Sequence, residues 1–82
     1  MKKVLIYTTG TCPFCVKAKR LLDRRGIDYE ERRIDKNPEL ALEARQKSGG
    51  RLTVPQIFIG EYHVGGCDEL YALDSENKLD QV

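Results

Sequence analysis

Long apolar runs are missing from this 82-residue sequence. Val4-Leu5-Ile6-Tyr7 is the apolar stretch near the start, far short of the roughly 20 residues that span a bilayer. It is also too short for the apolar region of a secretory signal. Neither sign of charge dominates: 14 Lys and Arg against 13 Asp and Glu leave a net charge of +1. That argues against non-specific nucleic-acid binding, which needs a basic stripe. Cysteine is scarce and odd in number, three in all, so this is not a secreted domain stapled by disulfides. Internal repeats, low-complexity stretches and linkers are lacking too. The expectation is one domain over residues 1–82, cytoplasmic, monomeric, without nucleic-acid or membrane partners. Its small core should give a stability of about 5 kcal/mol or somewhat more.

What is present centres on Cys12-Pro13-Phe14-Cys15. Two thiols at this spacing are either the ends of a reactive disulfide or half of a metal site. Before them, Lys3 to Tyr7 reads as a short buried strand closed by Thr8-Thr9-Gly10-Thr11. After them, Phe14, Ala18, Leu21 and Leu22 share one helical face, and Lys17, Lys19, Arg20 and Arg24 the other. Pro13 suits the first helical position, which makes Cys12 the N-cap and leaves Cys15 one turn inside. A turn rises ~5.4 Å, so the two α-carbons come within disulfide range. Cys12 then lies where unpaired N–H groups favour an anion, as an attacking thiolate requires. Lys17 and Lys19 are candidates to add to that field. A metal would recruit Cys67 or His63 as further ligands, and no second Cys-x-x-Cys is present.

The first helix should stop at Gly26, after Arg24-Arg25. Residues 27–34 read as a second strand, and the run Glu30-Glu31-Arg32-Arg33 makes it an edge strand. Asn37-Pro38 starts a helix that reaches about Lys47, with Leu40, Ala41 and Ala44 towards the sheet. Gln56 to Ile59 and Tyr62 to Val64 form a hairpin around Gly60-Glu61. A last helix should run from Cys67 to about Asp74, anchored by Leu70 and Leu73. From Ser75 the chain is polar and expected to fray, with Leu79 able to dock. The order β-α-β-α-β-β-α implies an α/β protein, one mixed four-stranded sheet with helices on both faces. With Cys-x-x-Cys after the first strand, it resembles the thioredoxin fold.

Two further stretches carry chemistry. Pro55 holds Val54 extended, which lets a peptide-like ligand add there as one more strand. Gly65-Gly66 precede a helix whose first N–H groups suit a carboxylate, and Asp68 suits an ammonium group. A partner with an α-amino and an α-carboxyl group satisfies both, which is the shape of a γ-glutamyl end.

In this order and spacing, Cys12-Pro13-Phe14-Cys15, Thr53-Val54-Pro55 and Gly65-Gly66-Cys67-Asp68 resemble a glutaredoxin of the short, dithiol, bacterial type. The resemblance covers nearly the whole chain. It implies that Pro55 is cis and faces the thiols. It implies that Cys12 attacks glutathione mixed disulfides or protein disulfides, and that Cys15 resolves the latter. It implies a glutathione site formed by Phe14, Arg51, Thr53, Val54, Pro55, Gly66, Cys67 and Asp68. Glutathione would be the co-substrate, with no tightly bound cofactor and no metal. Glutathionylated or disulfide-bonded proteins such as ribonucleotide reductase would be clients. Thr9 stands where many members have a Lys that contacts the glycyl carboxylate, which leaves Arg51 or Lys17 to replace it. Phe14 stands where Tyr is commoner. Weaker glutathione binding is the expected result.

Other readings stay open at this point. The alternatives are an electron carrier reduced by thioredoxin reductase, and a redox-inert, iron–sulfur or other metal-binding module on the same scaffold. Cys67 reads better as a packing residue than as a third redox centre. His63 is expected to face solvent or a helix without catalytic work, and Tyr62 and Tyr71 to serve packing.

Overall fold

The computed structural model describes residues 2–51 and 53–79. Along them run β1 (Val4–Thr8), α1 (Pro13–Arg24), β2 (Tyr29–Arg33), α2 (Pro38–Lys47), β3 (Gln56–Ile59), β4 (Tyr62–Gly65) and α3 (Cys67–Ser75). The strands lie in the order β2-β1-β3-β4. β1 pairs parallel with β2 and antiparallel with β3, and β3 pairs antiparallel with β4. This is the mixed sheet of the thioredoxin fold, as the element order implied.

β1 is central because it can be buried on both sides: all five of its residues are inside. Alternation along the strands separates two cores. Val4, Ile6, Ile57 and Ile59 meet Ala18, Leu21 and Leu22 of α1 and Leu70 of α3. On the other face Leu5, Tyr7 and Phe58 meet Ala44 of α2. The helices therefore cover both faces. No helix among the described residues is long and apolar enough to cross a membrane.

Helix ends follow local chemistry. Asn37 caps α2, its side chain accepting from the Glu39 N–H at 2.9 Å. Past α1, Gly26 turns left-handed at φ 67°, and the Ile27 N–H donates to the Leu22 carbonyl at 2.9 Å. Past α3, Asn77 takes the same conformation at φ 57°. There the Lys78 N–H donates to the Leu73 carbonyl at 2.8 Å. This turn delivers Leu79 into the core, only 6% exposed. The fraying expected from Ser75 thus does not hold through residue 79, because the turn gives Leu79 an apolar place; residues 80–82 lie outside the described ones.

β2 is an edge strand as expected, though shorter than residues 27–34. Ile27 packs on the α1 core instead of extending the strand. The charges of β2 find partners on both sides of the sheet. Glu31 accepts from the Thr8 hydroxyl at 2.6 Å and from Lys19 Nζ at 2.9 Å. Arg32 Nε donates to Glu30 at 2.6 Å, and the same guanidinium also reaches Glu43 of α2.

Candidate active site

The thiols sit where the sequence of α1 puts them. Cys12 has extended backbone and caps the helix, and Pro13 opens it. The Cys15 N–H donates to Cys12 Sγ at 3.1 Å, so sulfur does the work of an oxygen in an ordinary cap. From the other side the Cys12 thiol donates to the Val54 carbonyl at 3.6 Å. The Val54–Pro55 peptide bond is cis.

The two thiols are not equivalent. Cys12 is half-buried, whereas Cys15 is only 1% exposed. Burial pushes the Cys15 thiol up to about 12, helped by the hydrogen bond with Cys12 and, less, by its charge; the Thr9 backbone and Lys19 pull the other way. Cys15 therefore stays protonated near neutral pH. Lys19 is tied to Glu31 at 2.9 Å, and Lys17 Nζ lies 4.9 Å from the centre of the Tyr71 ring. Both lysines thus have fixed partners of their own beside α1.

Next to Cys12 opens a groove of about 170 Å³, lined by Phe14, Arg51, Thr53, Val54, Pro55, Gly66, Cys67, Asp68 and Glu69. Every binding residue expected from the sequence lines it; Leu52, inside the stretch 51–55, lies outside the described residues. A larger hollow of about 490 Å³ lies at the other end of β1, by Lys2, Ile27 and Tyr29, away from the thiols. Arg51, not Lys17, is the basic residue on the groove.

Glu69 was not read as part of this groove. Its carboxylate turns back to accept from the Gly66 N–H at 2.5 Å and lies 3.9 Å from Arg51. The available signal was a Glu three positions after the cap residue, the reciprocal half of a capping box. Gly65 makes room for this return: at φ 110°, an added Cβ would meet the Glu69 carboxylate at 2.6 Å. The amide of the cap residue Gly66 is thus already bonded within the chain.

Of the other residues, Phe14 and Tyr62 differ from expectation, whereas Tyr71 and Cys67 pack as expected. Phe14 does not join the buried face of α1; it is 57% exposed and turns to the groove. Tyr62 is not a packing residue, being 47% exposed at the hairpin, whereas Tyr71 packs against the α1–α3 core. His63 is half-buried and keeps part of its surface to solvent. It stacks on Phe58 at 4.6 Å, and its Nε2 lies 2.7 Å from Gln56 Oε1. Cys67 is 4% exposed within the core, and burial pushes its thiol up while Lys17 lowers it. Among the described residues, no three His, Cys, Asp or Glu side chains are gathered as a metal would need.

A half-buried thiol held by main-chain groups, a fully buried partner thiol and an adjoining groove suit thiol–disulfide exchange. The glutaredoxin family model matches residues 4–64. A glutaredoxin of Pseudomonas aeruginosa is 55% identical over 82 residues, covering 100% of this chain and 96% of that protein. The solution structure of a Brucella melitensis glutaredoxin superposes with a TM-score of 0.83 at 53% identity, over 99% of this chain and 87% of that one. A buckwheat glutaredoxin–glutathione complex gives 0.85 at 28% identity, over 98% and 74%. The chain belongs to the glutaredoxin family of thiol–disulfide oxidoreductases.

Proposed function

We propose that the protein is a glutathione-dependent oxidoreductase that acts through Cys12 alone on glutathione mixed disulfides, and through Cys12 and Cys15 on protein disulfides. The observation that carries this reading is the groove that joins the Val54 carbonyl beside Cys12 to the first turn of α3. Its chemistry matches glutathione along its length. Val54 offers main-chain pairing to the cysteinyl unit. The first-turn amides of Cys67 and Asp68 suit the γ-glutamyl carboxylate, and the Asp68 carboxylate suits its ammonium. Arg51 suits the glycyl carboxylate in place of the lysine missing at Thr9. Thr53, Pro55 and Gly66 shape the walls, and the Phe14 ring covers the thiol side. The buckwheat relative, solved with glutathione, adds support.

The Cys12 thiolate attacks the disulfide sulfur and forms a new S–S bond. The electron pair of the old bond leaves with the client thiolate, which takes a proton from solvent. With a glutathione mixed disulfide, the adduct on Cys12 is opened by a second glutathione thiolate, which releases glutathione disulfide. With a protein disulfide, Cys15 loses its proton and attacks the Cys12 sulfur, expelling the client. Two of the influences that hold Cys15 protonated, the hydrogen bond and the charge of Cys12, vanish once that sulfur is in a disulfide. Ionisation of Cys15 is thereby favoured when it is needed. Glutathione then returns the dithiol in two exchanges. The working form is a cytoplasmic monomer with no tightly bound cofactor, and ribonucleotide reductase is a client of the right class.

The test is turnover of the glutathione–mercaptoethanol mixed disulfide with glutathione, glutathione reductase and NADPH. Wild type and Cys15→Ser should both turn over, and Cys12→Ser should not. Silence from both active forms, with wild type still reduced by thioredoxin reductase, would replace glutathione as the donor.

A further inference from the structure

The groove wall at Thr53 is tied down from beneath. Gln56, 1% exposed, directs its side-chain Nε2 to the Thr53 carbonyl at 2.9 Å and to Thr53 Oγ1 at 3.1 Å. Its Oε1 lies 2.7 Å from His63 Nε2. A backbone carbonyl accepts and never donates, so only the NH₂ end of the amide can face Thr53. That leaves Oε1 towards His63, and Oε1 too can only accept. His63 Nε2 must therefore carry the hydrogen. The ring is kept in place by its stack on Phe58, tilted by 18°.

We propose that His63 and Gln56 are positioning residues for the groove: His63, held as the Nε2–H tautomer, orients the Gln56 amide, which fixes Thr53 and so sets the wall that receives the disulfide substrate. The inference rests on the glutathione reading above for its substrate. Neither side chain lines the groove, so both act through Thr53. A chain of part-buried hydrogen bonds of this kind gives one geometry only while every member is satisfied.

Nitrogen NMR of wild type reads the tautomer directly; an Nε2–H ring is expected, and an Nδ1–H ring overturns the proposal. His63→Leu should raise KM for the glutathione–mercaptoethanol disulfide about three- to tenfold, the equivalent of one neutral hydrogen bond. Its kcat should change by less than about twofold. His63→Gln, whose amide nitrogen reaches the place of ring Nε2, should restore most of the affinity. An unchanged KM in His63→Leu, or no rescue by His63→Gln, would overturn it. His63 is only half-buried, which makes these variants safer than changes at Gln56. A wild type inactive on this substrate would sink the glutathione reading instead; the tautomer, read without substrate, still decides the pair.

Discussion

The two faces of the sheet are held by different physics. Under α1 and α3 the side chains are almost all aliphatic, and Ala18, Leu22, Ile57, Ile59 and Leu70 are wholly inaccessible. Under α2 the apolar share shrinks to Leu5, Tyr7, Phe58 and Ala44, while Leu42 of that helix is 55% exposed. Polar contacts supply the rest. Glu43 of α2 accepts from the Tyr7 hydroxyl and from Arg32, and Lys47 Nζ lies 4.9 Å from the centre of the Phe58 ring. Burial, and then the bond to Glu43, push the Tyr7 hydroxyl up to about 12, so it remains a donor. Apolar burial is non-directional and is not screened by salt, whereas an ion-paired seam depends on geometry and is weakened by screening. The helix that carries the thiols has the firm face. The helix that leads into residues 51–55 has the yielding one.

The widest gap between the faces should appear on deleting apolar volume beneath α1. Leu21→Ala should cost ~2–5 kcal/mol of unfolding free energy in urea; a loss below about 1 kcal/mol would remove the contrast. Glu43→Gln should cost less, about 1 kcal/mol, because its pairs are part-exposed. Amide exchange should then quicken along α2 and stay unchanged in α1. Equal acceleration in both helices would show one cooperative unit instead of two faces. The smallest effect belongs to pH. His63, stacked on Phe58 of the α2 face, is lowered by burial and then by Arg51, while Glu69 opposes the shift. A lowered histidine binds fewer protons folded than unfolded. Stability should thus be full above the ordinary histidine value of about 6.5 and decline as pH falls below it. Melting curves from pH 7 to about 5 should show this decline, and His63→Gln should reduce it; an unaltered slope in the variant would assign the decline to other groups.

Local signals in the sequence were enough to locate the elements. Cys12 with Pro13, Asn37 with Pro38, Gly26 after Arg25, and Gly60-Glu61 each determine backbone over a few residues, and each appears as read. The thiol pair and the groove residues were legible for the same reason, as compact motifs. What escaped was pairing at a distance. Glu31 and Arg32 were legible as charges of an edge strand but not as ion-paired ones, because their partners Thr8, Lys19 and Glu43 come from other elements. Leu79 was legible as able to dock, but the tail around it was read as frayed, since its core partners come from other elements. Phe14 fitted the apolar period of α1, but that period cannot tell a core-facing position from a groove-facing one. Glu69 was legible as a first-turn acid and not as a groove wall, because that depends on Arg51 arriving from across the fold.

Two polar partners of Cys12 sulfur among the described residues, the Cys15 N–H and the Val54 carbonyl, belong to the main chain. No codon change can delete either group directly; short of proline at position 15, substitution acts only by moving the backbone that holds them. At these two contacts the Cys12 sulfur is insulated from point mutation. Under the proposed mechanism, side chains around Cys12 can be exchanged without removing these two contacts.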